Sequence, residues 1–150
     1  MVMEKEDKQL LLQDLTARLL YGIKVLYNDE ICTIDTISSD GQSLLKNEYG
    51  IEFPNIEDSL FVDLENIKPY LRPMDSMTDE EVTELAYKVF QQPDIDIVRR
   101  WVFENKLYPS IDGNPVIVID WLNKRHFDFR GLIEKGLALE VTEENNPYKD

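Results

Sequence analysis

In KQLLLQDLTARLL, residues 8–20, Leu11, Leu12, Leu15 and Leu19 recur at spacings of three and four and fall on one side of a 3.6-residue helix. Gly22 follows where a left-handed cap is wanted, so the pattern predicts a first amphipathic helix ending at that glycine. The period then drops to two. Ile23, Val25 and Tyr27 alternate, Asn28-Asp29 supplies a tight turn, and Ile31, Thr33, Asp35 and Ile37 interleave with Cys32, Ile34 and Thr36. This predicts two antiparallel strands. SSDGQ marks a second turn, and SLLKNEYGIEF and DSLFVDLENI supply further short β segments. Three to five short strands with tight turns fit a small, strongly bent antiparallel sheet and are compatible with an SH3-like barrel.

KPYLRP, residues 68–73, has Pro69 and Pro73 near its ends, each disfavouring helix in the residue before it, and is expected to be an extended connector. The pattern turns helical after it. Thr78 to Glu81 spells a capping box, and Val82, Leu85, Ala86, Val89 and Phe90 form the following stripe. Asp94 is placed to open a second helix with Val98, Trp101 and Val102 on one face. Asn114-Pro115 reads as an N-cap and first helical position, with Ile117, Val118, Trp121 and Leu122 facing inward and Lys124 and Arg125 near the end that welcomes cations. The β-branched run VIVI, residues 116–119, favours strand by propensity, but the one-faced spacing decides for helix. Beyond it, Asp128 is expected to cap another helix carrying Leu132 and Ile133 and ending at Gly136, after which LALEV resumes an extended path.

The expected fold class is therefore α+β: an N-terminal helix plus a small bent sheet over residues 1–72, then a three- to four-helix segment over 73–150, joined as one compact protein. A chain of 150 residues with 43% hydrophobic content has enough apolar material for a core without disulfides or metal.

Charge narrows the functional classes. Sixteen Lys and Arg face thirty Asp and Glu, a net charge of −14, and each third of the chain is acidic. Such a protein is repelled by phosphate backbones and anionic membranes, so direct nucleic-acid binding is disfavoured. No apolar run approaches the roughly 20 residues of a membrane span, the opening residues lack a signal-peptide pattern, and Cys32 is the single cysteine. A cytoplasmic location is expected, with a reduced thiol serving as a small apolar residue in a strand.

Chemistry has one focus, the stretch DWLNKRHFDFRGLIEKGLALE, which holds the only histidine, His126, beside Asp120, Asp128 and Arg130. A general base needs a nucleophile or an activated water within hydrogen-bond reach, and none is identifiable around His126. The structural alternative accounts for every polar residue: Lys124, Arg125 and His126 close one helix and Asp128 caps the next. One histidine and one distant cysteine make no zinc pattern. The glycine-centred stretches around Gly41 and Gly113 carry Thr36 or Tyr108 where a calcium loop starts with Asp, and Asn47 or Ile119 where it ends with Glu. Asp94, Asp96, Asp112 and Asp120 remain free to gather around a magnesium ion in space, although solvated carboxylates are the commoner outcome. Walker A, dinucleotide and serine-elbow motifs are absent. No catalytic, cofactor-binding or metal residue is assigned. Arg99, Arg100 and Trp101, with His126 and Arg130, form the one candidate interaction surface, set against the plainer reading of a solvated helix face with a buried Trp.

Three blocks, LTARLLYGIKVLY, KPYLRPMDSMTDEE and WLNKRHFDFRGLIEKGLALE, make the chain resemble a family of small proteins encoded in Bacteroidales prophages and other mobile elements. The third block is the most specific, and Leu20 departs from the proline found there before Tyr-Gly. The resemblance implies origin and context and transfers no site residue. Three functional readings follow: first, a non-enzymatic module of phage or mobile-element origin that binds a protein partner; second, an acidic DNA mimic acting as an anti-defence or regulatory protein; third, a hydrolase-type enzyme using His126 with a carboxylate.

Overall fold

The computed structural model describes residues 3–46, 52–53, 62–104 and 115–148. The chain divides into two units, Met1–Leu71 with Arg130–Asp150, and Arg72–Phe129. Residues 130–150, expected within a helical half, thus belong with the sheet.

The first unit opens with α1, Lys5–Arg18, continued by a 3-10 turn Leu19–Tyr21 that ends at Gly22 in the left-handed region, φ 70°. The predicted helix is present but its inward stripe differs. Leu11, Leu15, Asp14 and Arg18 are buried, whereas Leu12 and Leu19 are only partly covered. Strands β1 (Lys24–Tyr27) and β2 (Glu30–Ile37) pair antiparallel through Asn28 and Asp29, at φ 52° and 65°. Two consecutive left-handed residues are what a two-residue hairpin matched to strand twist requires, and Asn and Asp tolerate that region better than other side-chain-bearing residues. Strand β3 (Gln42–Lys46) pairs with β2, with an irregularity between Ile34 and Thr36, and its other edge receives β4 (Glu52–Phe53) and β5 (Val62–Asp63).

The expected connector at residues 68–73 is in part a strand: β6, Lys68–Leu71, pairs antiparallel with β1, and β7, Leu139–Glu140, lies parallel on its far edge. Pro69 has no N–H to give, and it is accommodated because β7 pairs only from Tyr70 onward. The order β4-β3-β2-β1-β6-β7 makes a mixed sheet, not an antiparallel one. Among the described residues no ladder joins β7 to β4 or β5, so the sheet is open and the closed SH3-like barrel is not formed. The fold class is α+β, as the pattern predicts.

Apolar residues from α1 and alternate positions of the strands make the first core, including Leu11, Leu15, Ile23, Val25, Ile34 and Leu45, and the returning segment adds Leu132, Leu137 and Ala138. The helix expected after Asp128 is absent. Gly131 and Gly136 both take positive φ, and the backbone makes only turn bonds such as Leu137 N–H to Leu132 C=O at 2.9 Å. Left-handed residues five positions apart leave no room for a helix to propagate.

The second unit starts with Arg72 and a 3-10 turn Met74–Ser76. Helix α2, Asp79–Glu84, begins at a complete capping box: Thr78 Oγ1 accepts from Glu81 N–H at 3.2 Å and Glu81 Oε1 accepts from Thr78 N–H at 3.0 Å. It continues as a π-helical turn over Leu85–Val89. Helix α3, Ile95–Phe103, is capped by Asp94, whose Oδ1 accepts from Asp96 and Ile97 N–H. Helix α4, Pro115–Lys124, resolves the VIVI ambiguity in favour of helix; the predicted cap Asn114 lies outside the described residues. Val82, Leu85, Phe90, Val98, Val118, Trp121, Leu122 and Phe127 are among the second core. Ile117, expected to face inward, is 49% exposed. With Val118, Trp121 and Leu122 setting the buried direction, Ile117 lies at the edge of that stripe.

Candidate functional site

The chain leaves α4 through Arg125 and reaches His126 at φ 62°, a left-handed position at the corner where glycine or asparagine is commonest. Its N–H donates to Asn123 C=O at 3.1 Å and its C=O accepts from Arg72 N–H at 2.8 Å, while Asp128 N–H donates to Arg72 C=O at 2.8 Å. The imidazole is buried. Of the two carboxylates near His126 in the sequence, Asp120 is exposed on α4 and Asp128 is buried. The corner therefore ties its backbone to the strand-like residue Arg72.

Aromatic and guanidinium groups continue from this corner in a chain of face contacts. The Arg72 guanidinium lies 4.1 Å from the Phe127 ring centre, Phe127 is parallel to Trp121 with centres 5.9 Å apart, and the Arg125 guanidinium lies 4.1 Å from the Trp121 ring centre. Two carboxylates three residues apart on α2 hold the two cations. Glu81 accepts from both Arg72 terminal nitrogens at 2.8 and 2.6 Å, and Glu84 accepts from Trp121 Nε1 at 3.1 Å and from Arg125. Burial opposes ionisation of Glu81, but the hydrogen bonds and charge of Arg72, with the Thr78 N–H, outweigh it and lower its pKa. Charge-assisted and face contacts of this kind rigidify a core.

Of the candidate surface residues, Arg99 is held by Asp79 at 2.9 Å and Asp96 at 3.0 Å, Arg100 is exposed, and Trp101 packs edge-on against Phe90 with ring centres 5.3 Å apart. Arg130 belongs to the first unit, where it donates to Asp14 at 2.7 Å. Arg18 meets the same carboxylate from one helical turn away through Nε at 3.0 Å and Nη2 at 3.1 Å. Asp14 and Arg18 are fully buried. This ion cluster was not anticipated, although a carboxylate four residues ahead of an arginine on one helix is a readable pairing signal.

Among the described residues no group of three or more His, Cys, Asp and Glu side chains is placed to hold a metal ion. Asp94 is engaged at its helix cap and Asp96 with Arg99, and Asp112 lies outside the described residues. Cys32 is buried in β2, and burial first, then the nearby Glu30 charge, raises its thiol pKa. That environment is the opposite of an activated thiolate's. An open groove of about 460 Å³ runs beside α1, lined by Gln9, Leu12, Gln13, Thr16 and the stretch Ile37 to Ser39, all uncharged. No described helix is long and apolar enough to cross a membrane. No protein-family model, curated protein or solved structure matches the chain.

Proposed function

We propose that the protein is a non-catalytic module that binds another protein. The observation that carries this reading is the disposition of charge. Five of the six arginines, Arg18, Arg72, Arg99, Arg125 and Arg130, are already held by the protein's own carboxylates. With a net charge of −14, the outward field is dominated by acid, which suits a partner with a basic contact face. Apolar contact area is available as well: Val116 is 65% and Phe103 63% exposed, and Ile117 adds a second aliphatic group to the first turn of α4. The sequence resemblance to prophage-borne proteins supports a partner from a phage or its bacterial host, and the lone thiol suits a cytoplasmic setting.

The same surplus of carboxylates supports a second reading, in which they imitate DNA phosphates and occupy the basic groove of a nucleic-acid-binding protein. Affinity capture from bacterial lysate at low and high salt, with wild type and the Val116→Asp, Ile117→Asp double variant as baits, separates the readings. The module reading expects one partner that is lost with the double variant, weakened but still captured at high salt, and not displaced by duplex DNA. A partner lost steeply with salt, indifferent to the double variant and displaced by duplex DNA establishes mimicry instead. No specific partner under either condition overturns both.

A further inference from the structure

The β1–β6 ladder pairs Leu26 with Lys68 and Val25 with Pro69. Because Pro69 has no N–H, its pair with Val25 is one that does not exchange hydrogen bonds. Antiparallel geometry alternates, so the next pair, Lys24 and Tyr70, is the one that would join Lys24 N–H to Tyr70 C=O. A phenol stands there instead. Tyr148 Oη accepts from Lys24 N–H at 3.0 Å and donates to Tyr70 C=O at 2.7 Å, with Lys24 C=O a further 3.5 Å contact. One hydroxyl thus satisfies a donor on one strand and an acceptor on its neighbour.

The segment presenting this tyrosine is a compact turn. Val141 N–H is anchored on Leu71 C=O at 2.8 Å. Thr142 and Asn145 then exchange backbone bonds at 3.3 and 3.2 Å, and Asn146 Oδ1 accepts from Tyr148 N–H at 2.9 Å across Pro147. Residues 142–145 are exposed, and the Tyr148 side chain packs on the first core while staying partly open to solvent. Burial pushes the phenol pKa far above its ordinary value, so the hydroxyl remains a donor at any physiological pH.

We propose that the gap between Lys24 and Tyr70 is a tyrosine-reading slot, filled by the chain's own Tyr148, and that a tyrosine carried on a turn of the protein partner takes Tyr148's place. The slot has the chemistry of its ligand: one N–H, one C=O and an apolar wall, which a phenol matches and a phenylalanine does not. The partner rests on the interaction-module reading above; the slot itself does not. Residues 141–148 then act as a strap that competes with the partner for the sheet.

The test uses the full chain carrying Tyr148→Ala, with p-cresol as the probe and toluene as its hydroxyl-free control. A truncated aromatic leaves a cavity that small aromatic molecules fill. The expected result is a lowered melting temperature that p-cresol raises in proportion to its concentration and toluene does not. A response to neither compound, or an equal response to both, overturns the slot. Should the alanine variant fail to fold, Tyr148→Phe keeps the ring, and hydrogen exchange at the Lys24 amide is expected to speed by about tenfold for the lost hydrogen bond; unchanged exchange overturns the slot as well. A synthetic peptide of sequence TEENNPY added to the alanine variant is expected to bind at least about tenfold more tightly than its Phe counterpart, and equal binding removes the trans ligand. Rescue by p-cresol with no partner captured from lysate would remove the partner reading and leave the slot.

Discussion

Asp14 and Arg130 stand 116 positions apart in the sequence and 2.7 Å apart in the fold, with Arg18 closing on the same carboxylate from its own helix. The first unit is thereby fastened to its returning segment by charge in its interior, where ion pairs are screened least.

Removal of the Asp14 carboxylate is expected to cost far more than removal of Arg130. Asp14→Ala strips the counter-charge from an arginine with no solvent exposure, and breaking such a pair costs about 3–5 kcal/mol. Arg130 keeps 15% side-chain exposure and Asp14 retains Arg18 without it, so Arg130→Gln is expected to cost about 1–3 kcal/mol. Urea unfolding of the two variants checks the ranking, and an Asp14→Ala loss below about 1 kcal/mol would contradict a structural role for the cluster.

Glu81 links stability to acid pH. Its folded pKa lies below the ordinary 4.5, so the unfolded chain binds its proton first as pH falls. Its contribution is whole above 4.5 and is lost as pH drops through the folded value. Glu81→Gln should flatten the acid limb of stability against pH, and Glu81→Ala, which also deletes the capping partner of Thr78, should cost about 1–3 kcal/mol at neutral pH. Unfolding midpoints measured between pH 3 and 7 would refute this if wild type and Glu81→Gln kept parallel profiles.

Features set by neighbours a few residues apart were legible from the sequence. Thr78 and Glu81 form their capping box, Asn28-Asp29 turns the first hairpin, Asp94 caps α3 and Gly22 ends the first helical segment, because each signal and its partner lie within about four positions. The helix expected after Asp128 failed for a local reason, Gly131 and Gly136 in the left-handed region, but most other differences depended on distant partners. The prolines of residues 68–73 disguised β6, which exists because β1 and β7 flank it. The spacing in α1 points four leucines inward, whereas Asp14 and Arg18 take the places of Leu12 and Leu19; a charge can be buried there only because it is paired, and one of its partners, Arg130, lies far along the chain. The sequence predicts His126 as a helix-closing residue and it does close α4, but the contact from Arg72, 54 positions earlier (126 − 72), that fastens it is invisible in one dimension.

Phe127 should be the costliest single truncation in the second unit. It has no solvent exposure and touches both Arg72 and Trp121, so Phe127→Ala is expected to cost about 3–5 kcal/mol. Glu84→Gln keeps an acceptor for Trp121 Nε1 and weakens only the Arg125 pair, so it should cost about 1 kcal/mol while changing the near-ultraviolet dichroism of the tryptophans. Unfolding curves and spectra of the two variants decide this, and equal losses would show that the carboxylate and not the ring contacts holds the corner.

Alkaline sensitivity follows from groups whose pKa is raised in the fold. Burial lifts the Cys32 thiol above its ordinary 9.0 and the Tyr148 phenol far above its ordinary 10.0. In each case the unfolded chain loses its proton first as pH rises. The stabilising contribution is therefore complete below the unfolded value and declines from about pH 9 for the thiol and about pH 10 for the phenol. Urea midpoints measured from pH 8 to 11 should fall for wild type and fall less for Tyr148→Phe and for Cys32→Ala, each variant being compared with its own value at pH 8. Thiol labelling at pH 8 should be slow in buffer and at least about a hundredfold faster in denaturing urea, because the reactive thiolate forms only on exposure. Rapid labelling of the folded protein, or midpoints independent of pH over this range, would contradict the placement of Cys32 and Tyr148 inside the first unit.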